Sequence, residues 1–587
     1  MKNIKYFIIA ISCFVSAACT DEILNRQPLD IITGSSVFKD KGLVDAYISN
    51  LYGRLKLNST FYPEFWDDIF GQEGLQSDES TTSNTWHNDW NELFEPWTKD
   101  RTHHGEYMDY ILVRDCNTFL KNIKESVLDE SIKSKMSAEV RMIRAFTYFE
   151  MVKRYGGIPL VQINQDITST IEELQLPRNT EQEVYDFIGS EVDTVKDDLA
   201  EVDRNRFTKY AALALKSRAM LYVGSIAKYG EVKLNGVAGI PADQAKKYFQ
   251  ASYDAALEII NSNKFALYRT DIKEGDLTSY KINYRNIFLV ENTGESIFEK
   301  SFKVGVNGLS IDASMGPARF TKLYSDLVSP VANLVNDFEM VDGTSGIIDF
   351  KNVRTSSIAD LLKMKDPRFH ASILYDGAPW QNDTIHMKFG ISKLGETGLS
   401  TSKTDIYKGK PARTEEAQGA GGSNATGFVW SKFLNPVASL GQYQSTPPAI
   451  IFRLGEIYLN MAEAAYNLGK EDEAIIYINK IRERAGFGPN SLSTINMDKI
   501  IHERRVELVQ EGHRLFDLRR WRIAEQVLNG YTPKAAFPYY DYNDRKWFFI
   551  YQNAEPNPRA FSKAMYYWPL SIQRTNINTK WVENPEY

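Results

Sequence analysis

Apolar residues recur along much of this chain with the period of a helix packed on one side. From Ala138 to Tyr155, residues Ala138, Met142, Ala145, Phe149 and Val152 repeat at spacings of four and three, which places them on one helical face. Gly156-Gly157-Ile158-Pro159 then stops the helix, glycine at its end and proline just beyond. Thr208 to Gly224 is rich in Ala and Leu, and Ala242 to Ile260 carries a stripe of Tyr248, Tyr253, Ala256 and Ile259 or Ile260. The clearest unit runs from Arg453 to Ala485. Leu454, Ile457, Tyr458, Met461, Ala465 and Leu468 form one face, Gly469-Lys470 the turn, and Ala474, Ile475, Ile478 and Ile481 the facing stripe. Small alanines at the contact and glycine at the turn resemble a tetratricopeptide helical pair, although no clean 34-residue array is present. These elements predict a mostly α-helical scaffold of paired helices.

Two stretches break the pattern. Phe61 to Arg101 has little helical period and sets Trp66, Trp86, Trp90 and Trp97 among Asp, Asn, Ser and Thr. Tyr268 to Asn435 is long and rich in Gly, Ser, Asp and Thr, with short β-branched runs such as Thr384 to Phe389. Ala412 to Gly427 reads as a mobile surface loop. Long insertions on a helical scaffold commonly carry binding.

The N-terminus adds a different kind of signal. Lys2 and Lys5 precede an apolar run from Tyr6 to Ala18, which falls short of the roughly 20 residues a membrane span requires. It fits a secretory signal peptide over residues 1–18. Ser16-Ala17-Ala18-Cys19 resembles a bacterial lipobox, which makes Cys19 the expected lipidation site. The acidic pair Asp21-Glu22 resembles a surface-export signal of some Gram-negative lipoproteins. Of the three cysteines, Cys13 leaves with the signal and Cys19 carries lipid, so Cys116 has no partner for an intrachain disulfide. A net charge of −7 lacks the basic footprint of a nucleic-acid binder, and no nucleic-acid partner is expected.

Chemical motifs are sparse. Ile501-His502-Glu503 invites a zinc reading, but Val506 stands where the second histidine is required. His513, read on the same helix as His502, lies about 16 Å along the axis. The Arg and Glu residues of this block read better as ion pairs between packed helices. Glu64, Asp67 and Asp68 beside Trp66 offer carboxylates for a glycosidase, which needs two of them about 5–10 Å apart across a sugar. No nucleophile elbow, phosphate loop or dinucleotide fingerprint is present. No catalytic residue, metal or cofactor is expected.

Four ordered motifs carry a resemblance. Ala138-Glu139-Val140-Arg141-Met142-Ile143-Arg144-Ala145-Phe146-Thr147-Tyr148-Phe149 leads to Tyr155-Gly156-Gly157-Ile158-Pro159-Leu160. Arg453 to Gly486, Glu503 to Trp521, and Trp568-Pro569-Leu570 with Asn584-Pro585-Glu586-Tyr587 complete the set. Together they resemble the SusD/RagB family over essentially the whole chain, with Ser571 and Glu586 in place of a proline and a glycine. The resemblance implies an α-helical tetratricopeptide-based scaffold with an irregular binding lobe. It also implies an outer-membrane lipoprotein facing the cell exterior, paired with a SusC-like TonB-dependent transporter and binding oligosaccharides. Peptide-binding members exist, and a surface glycoside hydrolase is the competing reading. The expected organisation is a helical region over 19–230 with the Trp-rich loop, and a C-terminal region over 231–587. The latter contains the insertion 268–435 and a helical block over 450–525.

Sugar rings stack their C–H faces on aromatic planes and need fixed polar partners for their hydroxyls. That points to Trp86, Asn88, Asp89, Trp90 and Trp97 in the first loop, and to Tyr284, Tyr324 and Trp380 in the second. For any one tryptophan, packing the loop onto the helices fits equally well.

Overall fold

The computed structural model describes residues 37–57, 72–82, 90, 92–98, 107–166, 168–393, 398–417 and 424–587. Its principal helices are α1 Lys41–Arg54, α2 Tyr110–Asn122, α3 Glu130–Tyr155, α4 Glu181–Val195, α5 Lys209–Tyr229, α6 Ala245–Asn261 and α7 Leu277–Leu289. They continue with α8 Ile311–Met315, α9 Pro367–Ser372, α10 Leu454–Asn467, α11 Glu471–Ala485, α12 Met497–Glu507 and α13 Arg514–Arg520. The strands needed below are β1 Ser80–Thr81, β2 Ser296–Lys300, β3 Ser329–Pro330, β4 Gly390–Ser392, β5 Leu399–Ser400, β6 Ala449–Arg453, β7 Lys534–Asp541 and β8 Lys546–Asn553.

The helices pack in sequence-neighbour pairs: α2 on α3, α3 on α4, α4 on α5, α5 on α6, and α10 on α11, with α6 against α10 closing the stack. The fold is mostly α-helical and tetratricopeptide-like. Local chemistry sets the boundaries. Thr208 caps α5 by accepting from the Ala211 amide, and Thr180 with Glu183 forms a reciprocal capping box at α4. Gly469 turns α10 into α11 with φ +78°, a conformation in which a Cβ would be strained. One apolar cluster, including Val140, Phe149, Ala212, Met220, Ile457 and Ile478, fills the interior of this stack.

A second apolar cluster lies in the lobe built largely from the 284–449 stretch, with Phe338, Phe369, Ile373, Val429 and Trp430 at its centre. The four-stranded sheet β8-β7-β4-β5 borders it, with β7 parallel to β4 and the other pairs antiparallel. Two expectations change here. The 501–522 block is two helices, not one, because Gln510 and Gly512 between α12 and α13 both take positive φ. Within 412–427, Ala412, Glu416, Ala417 and Asn424–Gly427 are buried rather than forming a surface loop. The Thr426 carbonyl accepts from the Ala536 amide on β7 (2.8 Å), and Gly427 at φ +89° sits where a Cβ would strike the Ala536 carbonyl.

Scaffold and lobe meet along a buried ionic seam. The Arg453 guanidinium binds Glu295, Glu507 and Glu511; Arg368 binds Asp366, Glu503 and Glu507; Lys432 binds Glu511. On the same helices, Arg504 pairs with Asp517 and Arg520 with Glu463. The charged residues of the 501–522 block therefore tie helices together, and Glu503 is held by Arg368 and Arg482.

Candidate functional site: an aromatic face on the loop lobe

Three loops converge around the short helix α8. On one side, the turn carrying Leu323 and Tyr324 folds back so that both amides donate to the Ala313 carbonyl (3.0 Å each). On the other, Leu309 and Ser445 exchange backbone hydrogen bonds, the Tyr443 amide donates to Ser310 Oγ (3.1 Å), and the Asp312 amide donates to Ser445 Oγ (3.1 Å). This close approach requires Gly308, whose added Cβ would meet the Tyr443 carbonyl. Asp312 extends the junction by accepting from the Asn435 amide (2.6 Å), and Gln381 donates to the Asn435 carbonyl while accepting from Ser439. Arg319 ties the 383–384 edge to the same region through Asp383, Glu416 and the Thr384 carbonyl.

The result is a surface that presents two tyrosines, Tyr324 (36 % exposed) and Tyr443 (52 %), on either side of α8. Leu323, Val304, Val306 and Val437 are exposed on the same loops, beside the exposed polar side chains of Lys322, Asn382 and Gln442. Asp326, Gln381, Asn382 and Tyr443 all hold positive φ. For non-glycine residues such backbone is sparsely populated and concentrates at functional sites.

The Trp-rich loop is rooted beside this face. Strand β1 pairs with β3, and the Thr82 hydroxyl donates to the Leu327 carbonyl (2.6 Å), three residues from Tyr324. At its other end, Trp90 is buried in the lobe cluster with Phe94 edge-on at 5.1 Å. Trp86, Asn88 and Asp89 lie outside the described residues, as do Cys19, Glu64, Asp67 and Asp68.

Of the other sequence candidates, four are packed into the protein. Trp97 is buried against Trp568 (6.1 Å) in the helical cluster. Tyr284 is fully buried at the ionic seam, where its hydroxyl donates to the Glu507 carbonyl (2.6 Å) and accepts from Lys432. Trp380 is 3 % exposed, with the Arg285 guanidinium 5.2 Å from its ring centroid. In this arrangement Trp90, Trp97, Tyr284 and Trp380 spend their area on packing, and Tyr324 alone among the described candidates presents a ring to solvent. Tyr443 was not anticipated. Its signal, an aromatic residue within Gly441-Gln442-Tyr443-Gln444, falls just past the boundary drawn at Asn435.

The loop bearing Trp380 has a pH-dependent anchor. Asp376 accepts from the Met387 amide (2.8 Å), and burial pushes its carboxyl up to about 7. Glu79, at the base of the Trp-rich loop, is likewise raised by burial to about 7. A raised folded-state pKa favours the native state fully below the ordinary carboxylate value, and that contribution is lost as pH rises through about 7. Asp376→Asn is therefore expected to flatten the decline in melting temperature between pH 5 and 8. An unchanged profile would refute this anchor.

The comparisons with known proteins agree with this architecture. The model of the SusD family matches residues 294–587, and the model described as "Starch-binding associating with outer membrane" matches residues 35–221. The chain belongs to the SusD family. A SusD-like protein of Bacteroides ovatus is 23 % identical to this family member over 545 residues, covering 90 % of this chain and 84 % of the relative. A crystal structure of a SusD-like protein from Bacteroides fragilis superposes with TM-score 0.72 at 24 % identity, covering 96 % of this chain and all of the other. Surface glycan-binding protein A from Bacteroides uniformis superposes with TM-score 0.61 at 16 % identity, covering 93 % of this chain and 99 % of the other.

Proposed function

We propose that this SusD family member is a non-catalytic surface lipoprotein that captures oligosaccharides on the aromatic face and passes them to a partner TonB-dependent transporter. The observation that carries the reading is the pair of exposed tyrosines flanking α8 on loops that are tied together by hydrogen bonds, with the Trp-rich loop rooted alongside. Rigid aromatic rings beside polar side chains suit sugar rings, which offer apolar faces and hydroxyl edges. The family description and the glycan-binding name of the Bacteroides uniformis neighbour support the ligand class.

Absence of catalysis is supported by how the acids on these loops are used. Asp312 and Asp326 are buried, Asp312 holding the Asn435 amide and Asp326 the side chains of Ser329 and Asn424. Asp383 is paired with Arg319. Asp383 and Glu416 share the Arg319 guanidinium, an ion-paired arrangement rather than the acid-and-nucleophile pair across a sugar that glycoside hydrolysis uses.

Affinity electrophoresis on starch, laminarin, xylan and mannan, run beside a reducing-sugar assay on the same polysaccharides, tests the reading. Retardation without product supports it. Product formation would make the protein a hydrolase, and retardation by none of them, with binding to a peptide library, would make it a peptide receptor. Anchoring is tested separately, since no helix among the described residues is long and apolar enough to cross a membrane. Cys19→Ala is expected to abolish acylation and shift the protein from the membrane to the soluble fraction, and retention in the membrane would disprove the anchor.

A further inference from the structure

A cavity of about 370 Å³ lies on the helical scaffold, built on the first apolar cluster and away from the lobe loops. Its volume is within the usual range for small-ligand sites, about 300–1,000 Å³. It forms where the C-terminal segment crosses three other pieces of chain: the start of α2, the strand-like stretch after Gly157, and the 171–176 turn. The crossing is pinned by Gln175 donating to the Ile577 carbonyl (2.7 Å), Lys580 to the Glu172 carbonyl (2.9 Å) and Arg178 to the Val582 carbonyl (2.7 Å).

Two aromatic rings wall the cavity, Tyr110 and Trp581, with centroids 6.4 Å apart and planes at 49°. Both are fixed by their polar ends. The Trp581 indole N–H donates to the Leu176 carbonyl (3.0 Å), and the Tyr110 hydroxyl donates to the Pro159 carbonyl (2.9 Å). Each ring is thus locked in orientation before any ligand arrives, which removes an ordering cost from binding. The rim is polar. Asn164 and Gln165 are exposed, and each is held by an amide N–H, Asn164 donating to Thr118 Oγ1 (2.7 Å) and Gln165 to the Leu174 carbonyl (3.0 Å). Arg114, 64 % exposed and paired with Asp115 (3.2 Å), adds a guanidinium.

We propose that this cleft is a second carbohydrate-binding site, stacking one sugar unit of a chain on the exposed surface of the Tyr110–Trp581 pair while Asn164, Gln165 and Arg114 bind its hydroxyls. A tilted pair of rings with acceptors and a donor at the rim matches the amphipathic faces of a pyranose. The proposal rests on the glycan reading of the loop face for its ligand class, but on none of its residues. A surface lipoprotein with two such sites on separate parts of the fold would hold a long polysaccharide at two points, raising avidity through effective concentration.

The test is titration calorimetry with maltohexaose, laminarihexaose, xylohexaose and mannohexaose on four proteins. These are the parent, Tyr324→Ala/Tyr443→Ala, Trp581→Ala, and Arg114→Ala/Gln165→Ala, each checked by thermal melting. The last pair is exposed or rim-located and guards against a Trp581→Ala chain that fails to fold. The expected result is that the loop-face variant retains binding of one hexasaccharide, and that this binding falls about tenfold or more in Arg114→Ala/Gln165→Ala and in Trp581→Ala. Full loss of binding in the loop-face variant, with both cleft variants unchanged, would overturn the second site and leave the first intact. No binding by the parent to any probe would overturn both. Unchanged hexasaccharide binding in the cleft variants together with lost co-purification of an outer-membrane protein would make the cleft a protein-docking pocket instead.

Discussion

Glu507→Gln is expected to destabilise the protein by about 3–5 kcal/mol, the largest effect of any single substitution considered for this fold. The Glu507 carboxylate receives three guanidiniums from three different elements. Arg453 at the end of β6 donates to Oε1 (2.7 Å), Arg484 on α11 also reaches Oε1, and Arg368 on α9 donates to Oε2 (2.9 Å). All four side chains are at most 2 % exposed. Neutralising the acid leaves three buried cations with one fewer anion among them, and a buried charge without its partner costs several kcal/mol. The surrounding arginines hold the Glu507 carboxyl well below the usual carboxylate range, against the opposing effect of burial. A depressed folded-state pKa stabilises above the ordinary value and is lost as pH falls through the folded one. The parent should therefore lose stability in acid more steeply than Glu507→Gln. Urea unfolding between pH 3 and 7 reads both effects. A variant within about 1 kcal/mol of the parent at pH 7 would mean that the seam is not what joins lobe to scaffold.

Why these charges were legible as ion pairs, yet not as a seam, follows from what a local pattern contains. The α10–α11 pair could be read because its stripe, turn glycine and small contact residues all lie within one stretch of 33 residues, Arg453 to Ala485. The partners of Arg453 at Glu295, and of Glu507 at Arg368, are separated by more than 130 residues. No periodicity spans such a gap. Tyr284 illustrates the same limit from the other side. Its neighbours Asn283, Arg285 and Asn286 suggest a solvated surface, but Arg285 is buried and donates to the His370 and Ala371 carbonyls, and Tyr284 goes inward with it. Trp380 is drawn in by the same Arg285. Aromatic residues in polar surroundings thus include an exposed ring at Tyr324, and buried rings where distant groups satisfy the polar neighbours. The break between α12 and α13 was hidden for a different reason. The positive φ at Gln510 is unusual for that residue type, so only Gly512 hinted at it.

Tyr324→Ala/Tyr443→Ala is expected to weaken glycan binding by about 5- to 150-fold while leaving the melting temperature close to the parent's. Each stacked ring contributes about 0.5–1.5 kcal/mol beyond simple area burial. Loss of both gives about 1–3 kcal/mol, and every 1.4 kcal/mol is tenfold in affinity. Stability should change little because Tyr443 is half exposed and Tyr324 more than a third, and the loops are also tied through the Ala313 carbonyl and the Ser310 and Ser445 hydroxyls. Tyr443 already holds φ +58°, so alanine inherits the same backbone and adds no new strain of its own. Tyr443→Phe separates the two contributions the phenol makes. Affinity kept in phenylalanine and lost in alanine identifies stacking, whereas loss in both identifies the hydroxyl. Adding Trp86→Ala to the double variant tests whether the loop rooted at Thr82 and Trp90 reaches the same ligand. Non-additive losses between Trp86 and Tyr324 would couple the two rings, through one sugar chain or through contact with each other, whereas additive losses would mean that they act independently. Unchanged affinity in Tyr324→Ala/Tyr443→Ala, for a glycan the parent binds, would remove the α8 face as the capture site. The scaffold cleft lined by Tyr110 and Trp581 would then be the first place to look for it.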